Sequence, residues 1–363
     1  MKKLHIVHTE SSLGWGGQEI RVLSEAQGLI ARGHSVTLLC PGEARIHAEA
    51  VRWNVPTVPL PIAKKRIAGL RALYGWFQAN RCDVVNTHSS TDAWLAALAL
   101  LALGRPYPMV RTRHISAPVP KGRLTGWLYQ RATRRIVTTG DALKRQLVDE
   151  NGFTPGRIVS IPTGIDGGRF KPGDAPAARR LVKLPLDRRL VGVVATLRSW
   201  KGHAYLVEAL AALPEDVILV IVGAGPGWDP LHAQVKQLGL DARVIFADDQ
   251  REVLPWLQAL DVFALPSYAN EGVPQAILQA MACELPVVAT AVGAIPEVLE
   301  DGVNGIVVAT RDAAALARAI ERLLADRALA ARLARAGRER VLERHSRETM
   351  LDRMERLFLD VAG

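Results

Sequence analysis

Short runs of mostly apolar residues alternate along the chain with stretches whose apolar positions recur every three or four residues. In the first part, residues 4–9, 35–40, 84–88, 109–114, 135–139 and 158–162 are rich in Val, Ile, Leu and Thr and are predicted strands. Between them lie helical patterns such as residues 20–32 and 92–103. The alternation restarts at residue 191, with predicted strands at 191–197, 217–222, 244–246, 262–266, 286–291 and 305–308. From residue 311 onward the pattern is helical. Strand–helix alternation of this kind predicts parallel sheets covered on both faces, and its restart predicts two such α/β modules in tandem.

The break between the two runs is residues 166–189, where Gly167, Gly168, Pro172, Gly173, Pro176 and Pro185 interrupt charged sequence. This segment reads as a linker. It divides the chain into a first domain, residues 1–165, and a second, residues 190–345. Residues 346–363 form a last helix, with Met350, Leu351, Met354, Leu357 and Phe358 apolar. A length of 363 residues supplies two cores of ordinary size. In open α/β sheets ligands bind beyond the carboxyl ends of the strands, so a cleft between the modules is the expected site.

Charge and cysteines add constraints. Residues 1–165 hold 22 Lys and Arg against 10 Asp and Glu, a net +12, whereas the remainder nets −2. The basic excess therefore belongs to the first domain and points to an anionic membrane or nucleic acid. Cys40, Cys82 and Cys283 are few and scattered, which indicates neither a disulfide framework nor a zinc site and fits a reducing compartment. The longest apolar run, residues 93–103, is about half of the roughly 20 residues of a membrane span. It reads as a buried helix, and MKKLHIVHTE reads as a first strand rather than a signal peptide.

Three glycine-containing turns follow predicted strands. Gly14-Trp15-Gly16-Gly17-Gln18-Glu19 precedes a helix, a setting where backbone amides attract anions, but it is not a G-x-G-x-x-G fingerprint. Gly223-Ala224-Gly225-Pro226-Gly227 is the second. Each alone is equally a tight strand-to-helix turn. The third runs Pro266-Ser267-Tyr268-Ala269-Asn270-Glu271-Gly272-Val273-Pro274-Gln275 into a helix carrying Gln279. Pro274 suits the first helical turn, and amides near Gly272–Ala276 suit a diphosphate. Arg198 and Lys201, after the first strand of the second module, suit a leaving phosphate, although two such cations are also ordinary at a surface. No Asp-x-Asp triplet occurs, so no metal is expected, the two cations standing in its place.

In combination these residues resemble the retaining GT-B glycosyltransferases of family 4 (group 1). The resemblance rests on Arg198 with Lys201-Gly202, Ile221-Val222-Gly223 with Gly225, and Asp261-Val262-Phe263 running into Pro266-Ser267. Glu271-Gly272-Val273-Pro274, Gly293 with Pro296-Glu297, and Asp301-Gly302-Val303-Asn304-Gly305 complete it. Gly16-Gly17-Gln18-Glu19 and Ile161-Pro162-Thr163-Gly164-Ile165-Asp166 are a looser match in the first module. The resemblance implies two Rossmann-like domains and transfer of a sugar from a nucleotide-diphosphate sugar, with retention of anomeric configuration and without cofactor or metal.

It also implies roles. Arg198 and Lys201 neutralise the diphosphate, Gly16 and Gly17 approach it from the first domain, and Gly223 and Gly225 belong to the donor site. Glu271 binds the donor sugar, and the amides of Gly272, Val273 and Gln275, with Pro274 between them, cradle donor and phosphate. His114, in Arg113-His114-Ile115-Ser116, matches a histidine near the anomeric centre. The last helix would cross back onto the first domain. One departure stands out: the family's second glutamate, which holds the ribose, is Gln279, a neutral group that both donates and accepts. Arg198 and Lys201 are also closer together than usual. His88, ending a strand, and Arg113 are candidates on the acceptor side.

The first domain carries two basic clusters with aromatics: Lys64, Lys65, Arg66 and Arg71 with Trp76 and Phe77 within residues 61–82, and Lys121, Arg123, Trp127, Arg131, Arg134 and Arg135. The former reads as a basic amphipathic helix suited to an anionic membrane, or as a solvated helix face. No recognition motif accompanies the charge, so nucleic acid is not expected. By analogy with relatives of cationic acceptor domain, the expected acceptor is a lipopolysaccharide-type or other cell-surface glycan. The expected location is cytoplasmic, peripheral on the inner face of the membrane. The alternatives are a GT-B sugar-nucleotide epimerase and a non-catalytic nucleotide-sugar-binding protein, the latter motivated by Gln279.

Overall fold

A computed structural model describes residues 2–363. Among them are two all-parallel sheets, in two compact units: residues up to Gly164 together with Glu348–Gly363, and Ile165–Arg347.

The first sheet contains β1 (His5–Thr9), β2 (Ser35–Cys40), β3 (Thr57–Pro59), β4 (Val84–Thr87), β5 (Met109–Arg113), β6 (Arg135–Thr138) and β7 (Ile158–Ser160), in the order β3-β2-β1-β4-β5-β6-β7. The chain winds outward from β1 to β3, then crosses back to lay β4 on the other side of β1. That reversal between β1 and β4 opens a crevice at the carboxyl ends of these strands. One face of the sheet is covered by the helix Gly17–Ala31 and by the last helix, Arg347–Ala362. Met350, Leu351, Met354 and Phe358 of that helix are buried with Ile6, Val84 and Val110. Leu351 fills the space that a side chain at Gly28 would need. Arg32 ties the helix down through Glu348, Asp352 and Glu355 at 2.7, 2.7 and 2.8 Å.

The second sheet contains β8 (Arg189–Val194), β9 (Val217–Val222), β10 (Val244–Phe246), β11 (Val262–Leu265), β12 (Val287–Thr290) and β13 (Ile306–Val308), in the order β10-β9-β8-β11-β12-β13. Its reversal lies between β8 and β11. Strand β9, VILVIV, is buried at every residue, as a parallel strand covered on both faces must be.

Two elements differ from the sequence reading. β3, absent from it, is a three-residue edge strand ending in Pro59, too short and proline-bounded to stand out. Residues 166–189, read as a linker, contain the helix Ala175–Leu181 within the second unit. Asp174 accepts a hydrogen bond from Ala177 N at 3.2 Å and Pro176 lies in the first turn, so this proline begins a helix rather than breaking one. Arg179 fastens the helix, donating to Ala259 O at 2.9 Å and pairing with Asp261 at 2.8 Å.

Candidate active site

In the second unit, the carboxyl ends of β8 and β11 bring Lys201, Ser267 and Glu271 together. Lys201 Nζ donates to Glu271 Oε1 at 2.7 Å, and Ser267 Oγ donates to the same oxygen at 2.6 Å. The Glu271 side chain is 5% exposed and Lys201 19%, so the pair is only partly wetted. A carboxylate held by a cation and a hydroxyl in a strand-end crevice is well placed to bind a polyhydroxylated, anionic ligand. Arg198 does not join this cluster. It is exposed, with its guanidinium carbon 5.6 Å from the Trp200 ring centre. That leaves its charge available at the rim.

Gly272, Val273 and Pro274 are buried and lead into the helix Gln275–Ala282. Pro274 is the residue before the first turn rather than within it. No side-chain cap is seen at Pro274, and the amides of Ala276 and Ile277 fall in the first turn, before the helix's own hydrogen bonds begin. These amides and the helix dipole favour a negative charge at that end. Gln279, 7% exposed, sits on the buried side of the same helix.

Two of the glycines expected at the donor site have a packing task. A Cβ on Gly223 would overlap Ala195 O, and one on Gly225 would lie 2.7 Å from Leu197 O. The space a side chain would need at each is taken by the backbone after β8. Leu197 N donates to Ala224 O at 3.0 Å and Gly227 N to Leu197 O at 2.8 Å, so this turn clamps the segment that carries Arg198 and Lys201. Gly293, with φ 58°, does the same for the other side of the site: a Cβ there would overlap the carbonyl oxygen of Glu271.

In the first unit, Gly16 and Gly17 start the helix Gly17–Ala31, again without a side-chain cap. The turn before them is organised by Glu10, which the sequence reading passed over. Glu10 accepts from Ser12 N at 2.8 Å, Ser89 Oγ at 2.6 Å and Gln18 Nε2 at 2.5 Å. Burial, with Asp92 and Glu19 nearby, pushes its carboxyl up to about 8. Asp92, equally buried, accepts from Thr9 Oγ1 at 2.7 Å and from the amides of His88 and Ser89, both at 2.9 Å.

His88 and His114 are brought together: His88 Nδ1 and His114 Nε2 are 3.0 Å apart. Beyond His88 lies His8, also unremarked in the sequence, with its Nδ1 2.8 Å from His88 Nε2. Burial holds all three imidazoles below their ordinary range, His8 at about 3, and nearby arginines push His88 and His114 the same way. Arg113 is occupied differently from an acceptor contact. It donates to Tyr129 Oη and Ile115 O, each at 3.3 Å, and to Ala117 O, and so holds its own loop.

The basic helix is shorter than read, Ile67–Ala79, with Lys64, Lys65 and Arg66 exposed just before it. Its Leu73 and Phe77 are core residues, and Leu70, Tyr74 and Trp76 pack against that core. Most of its apolar face is thus consumed by the fold. Trp127 stacks on Trp94 with centroids 5.9 Å apart, and Ile67, Leu98, Leu101 and Leu124 remain exposed. No helix among the described residues is long and apolar enough to cross a membrane.

Two parallel sheets of this order, each with polar groups gathered at its reversal, define a glycosyltransferase architecture of GT-B type. Anabaena HepE in complex with UDP-glucose has this architecture, with a TM-score of 0.88 at 22% identity over 98% of this chain and 100% of that one. WaaG, a glycosyltransferase involved in lipopolysaccharide biosynthesis, gives 0.75 at 19% identity over 99% and 100%. Residues 15–169 match the family described as Glycosyltransferase Family 4, and residues 174–340 that described as Glycosyl transferases group 1. The D-inositol 3-phosphate glycosyltransferase of Mycobacterium tuberculosis is 30% identical over 373 residues, which span 91% of this chain and 74% of the relative. The chain belongs to family 4 of the glycosyltransferases, and it is a glycosyltransferase.

Proposed function

We propose that the enzyme transfers a sugar, with retention of configuration, from a nucleoside diphosphate sugar to a cell-surface glycan or glycolipid acceptor of lipopolysaccharide type. The observation that carries the donor half is the Lys201–Glu271–Ser267 cluster beside the uncapped helix at Gln275. Glu271 accepts from hydroxyls of the donor sugar, while Lys201, Arg198 and the amides of Gly272, Val273 and Gln275 leading into the helix stabilise the diphosphate as negative charge develops on it. With two cations and a helix end on the leaving group, the chemistry needs no metal. Gln279 takes the place at the ribose, and His114 touches the transferred sugar. HepE being solved with UDP-glucose supports a uridine donor.

The acceptor half is supported by the charge of the first unit and its exposed Ile67, Leu98, Leu101 and Leu124, which suit a lipid-embedded acceptor at an anionic membrane surface. WaaG acts in lipopolysaccharide biosynthesis, and the inositol-phosphate relatives indicate a polar anionic acceptor as a second reading. The test is a melting screen against UDP, GDP, ADP and their sugar conjugates, followed by product analysis with the acceptor classes. Melting raised by one nucleotide and its sugars supports the reading; no shift with any of them removes it. Sedimentation with anionic vesicles at low salt, lost at high salt, supports the membrane contact, and absence at low salt ends it.

A further inference from the structure

Three successive strands of the first sheet each place a histidine at the carboxyl end. His8 lies in β1, His88 just past β4 and His114 just past β5. Their rings form a single file. His8 Nδ1 meets His88 Nε2 at 2.8 Å, and His88 Nδ1 meets His114 Nε2 at 3.0 Å. At the inner end, His8 Nε2 is buried without a hydrogen bond and faces Glu25 Oε1 at 4.0 Å. Glu25 is fully buried on the helix Gly17–Ala31, beside Arg21 and within 3.5 Å of Asn86 Nδ2. At the outer end, His114 Nδ1 has no partner among the described residues.

A neutral imidazole has one N–H, and both nitrogens of His88 are engaged. One must donate and the other accept, so the whole file can point only one way at a time. We propose that His8, His88 and His114 act as one tautomeric chain through which the charge on Glu25 decides whether His114 Nδ1 is a hydrogen-bond acceptor or donor. With Glu25 ionised, His8 turns an Nε2–H toward the carboxylate, each ring carries its proton on Nε2, and His114 Nδ1 is a bare acceptor. One proton taken up at His114 Nδ1 reverses the file. His114 passes its Nε2 proton to His88 Nδ1, His88 passes its own to His8 Nδ1, and His8 passes its own to Glu25 once the 4.0 Å gap between them closes to hydrogen-bond distance. The proton ends on the carboxyl, and all three rings are neutral again.

The charged groups around the file enforce that neutrality. Arg21 stands beside Glu25 on the same helix, Arg111 and Arg113 come from β5, and Arg353 from the last helix acts on Arg21. These cations add to burial, the larger cause, in opposing an imidazolium at His88 or His114; the carboxyls at hand are Glu25 and Asp92, the latter taken up by Thr9, Ser11 and the amides of His88 and Ser89. Burial pushes the Glu25 carboxyl up to about 7, which places the reversal near neutral pH. The consequence for catalysis rests on the reading that His114 touches the donor sugar. His8, His88 and Glu25 are then positioning residues, which let His114 accept from a sugar hydroxyl when Glu25 is ionised.

The experiment is long-range nitrogen–proton correlation NMR on protein labelled with 15N-histidine, titrated from well above to well below pH 7. Expected is a change of His114 and His88 from the Nε2–H to the Nδ1–H tautomer, with both rings remaining neutral. His8→Phe keeps a ring beside Phe358 and cuts the file, so the pH dependence of the His114 tautomer disappears. Glu25→Gln removes it too and serves if His8→Phe does not fold. A His114 that charges to imidazolium in this range, keeps one tautomer throughout, or still switches in either variant overturns the chain. Turnover is read separately. A tautomer switch in a protein whose His114→Ala variant turns over normally leaves the chain intact and removes His114 from the sugar.

Discussion

Lys201 Nζ stands 2.7 Å from Glu271 Oε1 although 70 positions separate the two residues, and Ser267 Oγ shares the same oxygen. On the proposed function, an incoming diphosphate competes with Glu271 for Lys201, while Ser267 keeps the carboxylate in place. Lys201→Ala then removes a charge aimed at the leaving group and is expected to lower kcat by about 10²–10³-fold. Ser267→Ala removes one hydrogen bond and costs about 0.5–1.5 kcal/mol, a loss of about tenfold at most. Steady-state release of the nucleoside diphosphate measures both. Turnover that survives Lys201→Ala unchanged would remove the phosphate role.

Gly293 and Gly302 separate backbone strain from contact. Both have positive φ, 58° and 70°, but only at Gly293 would a Cβ overlap Glu271 O; at Gly302 nothing lies within 4 Å. Each alanine pays the left-handed penalty of roughly 1–2 kcal/mol, a melting-temperature loss of about 2–8 °C. Gly293→Ala must also displace the Glu271 carbonyl. It is expected to raise the donor KM severalfold, with Gly302→Ala near wild type. Equal donor KM values in the two variants would show that Gly293 does not hold Glu271.

These two comparisons mark what a linear reading reaches. Arg198, Lys201 and Glu271 can be picked out as candidates because they sit in short motifs at the ends of recognisable strands, and of the three Lys201 and Glu271 meet. The sequence identifies Gly223 and Gly225 as special but not what fills the missing side chain; here it is backbone from Ala195 to Leu197. Ser267 lies inside a motif without announcing its bond to Glu271. His8 and Glu10 carry no local signal, and Asp92 shows locally only as the end of a Ser-x-x-Asp capping box with Ser89. The partners that tie these residues across the sheet are about 80 positions away and meet only because β4 is laid beside β1. The helix Ala175–Leu181 was hidden by Pro176, which reads as a breaker until Asp174 is seen to cap the turn.

Gln279 is the family departure with the clearest consequence. A ribose hydroxyl donating to a carboxylate makes a stronger bond than one donating to a neutral amide, by roughly 1 kcal/mol. Gln279→Glu is therefore expected to tighten nucleoside diphosphate binding about fivefold, read by calorimetric titration. The gain is moderated by burial, since residue 279 is only 7% exposed. Weaker binding in the variant would mean that glutamine matches this pocket and that the ribose is held by other groups.

Stability should fall across a defined window of rising pH. Burial pushes Glu25 up to about 7, and burial with Asp92 and Glu19 pushes Glu10 up to about 8, against about 4.3 for an exposed glutamate. Between the unfolded and folded values the folded chain holds protons that the unfolded chain has lost, so folding weakens as pH rises. The destabilisation is absent below the unfolded value and complete above the folded one. His8 works the other way. Held at about 3 by burial, against 6.5 when exposed, it leaves stability intact above 6.5 and removes it progressively as pH falls toward 3. Burial holds His88, His114 and His203 down as well, and an unfolded histidine is still half protonated at its ordinary value of about 6.5, so the slope belongs chiefly to the two carboxyls only above about pH 7.3. Urea unfolding at steps from about pH 7.3 to 9 should show a declining free energy. Glu25→Gln should flatten the lower part of that decline and Glu10→Gln the upper part. If the slope is the same in both variants as in the wild type, neither carboxyl is protonated in the folded enzyme at neutral pH.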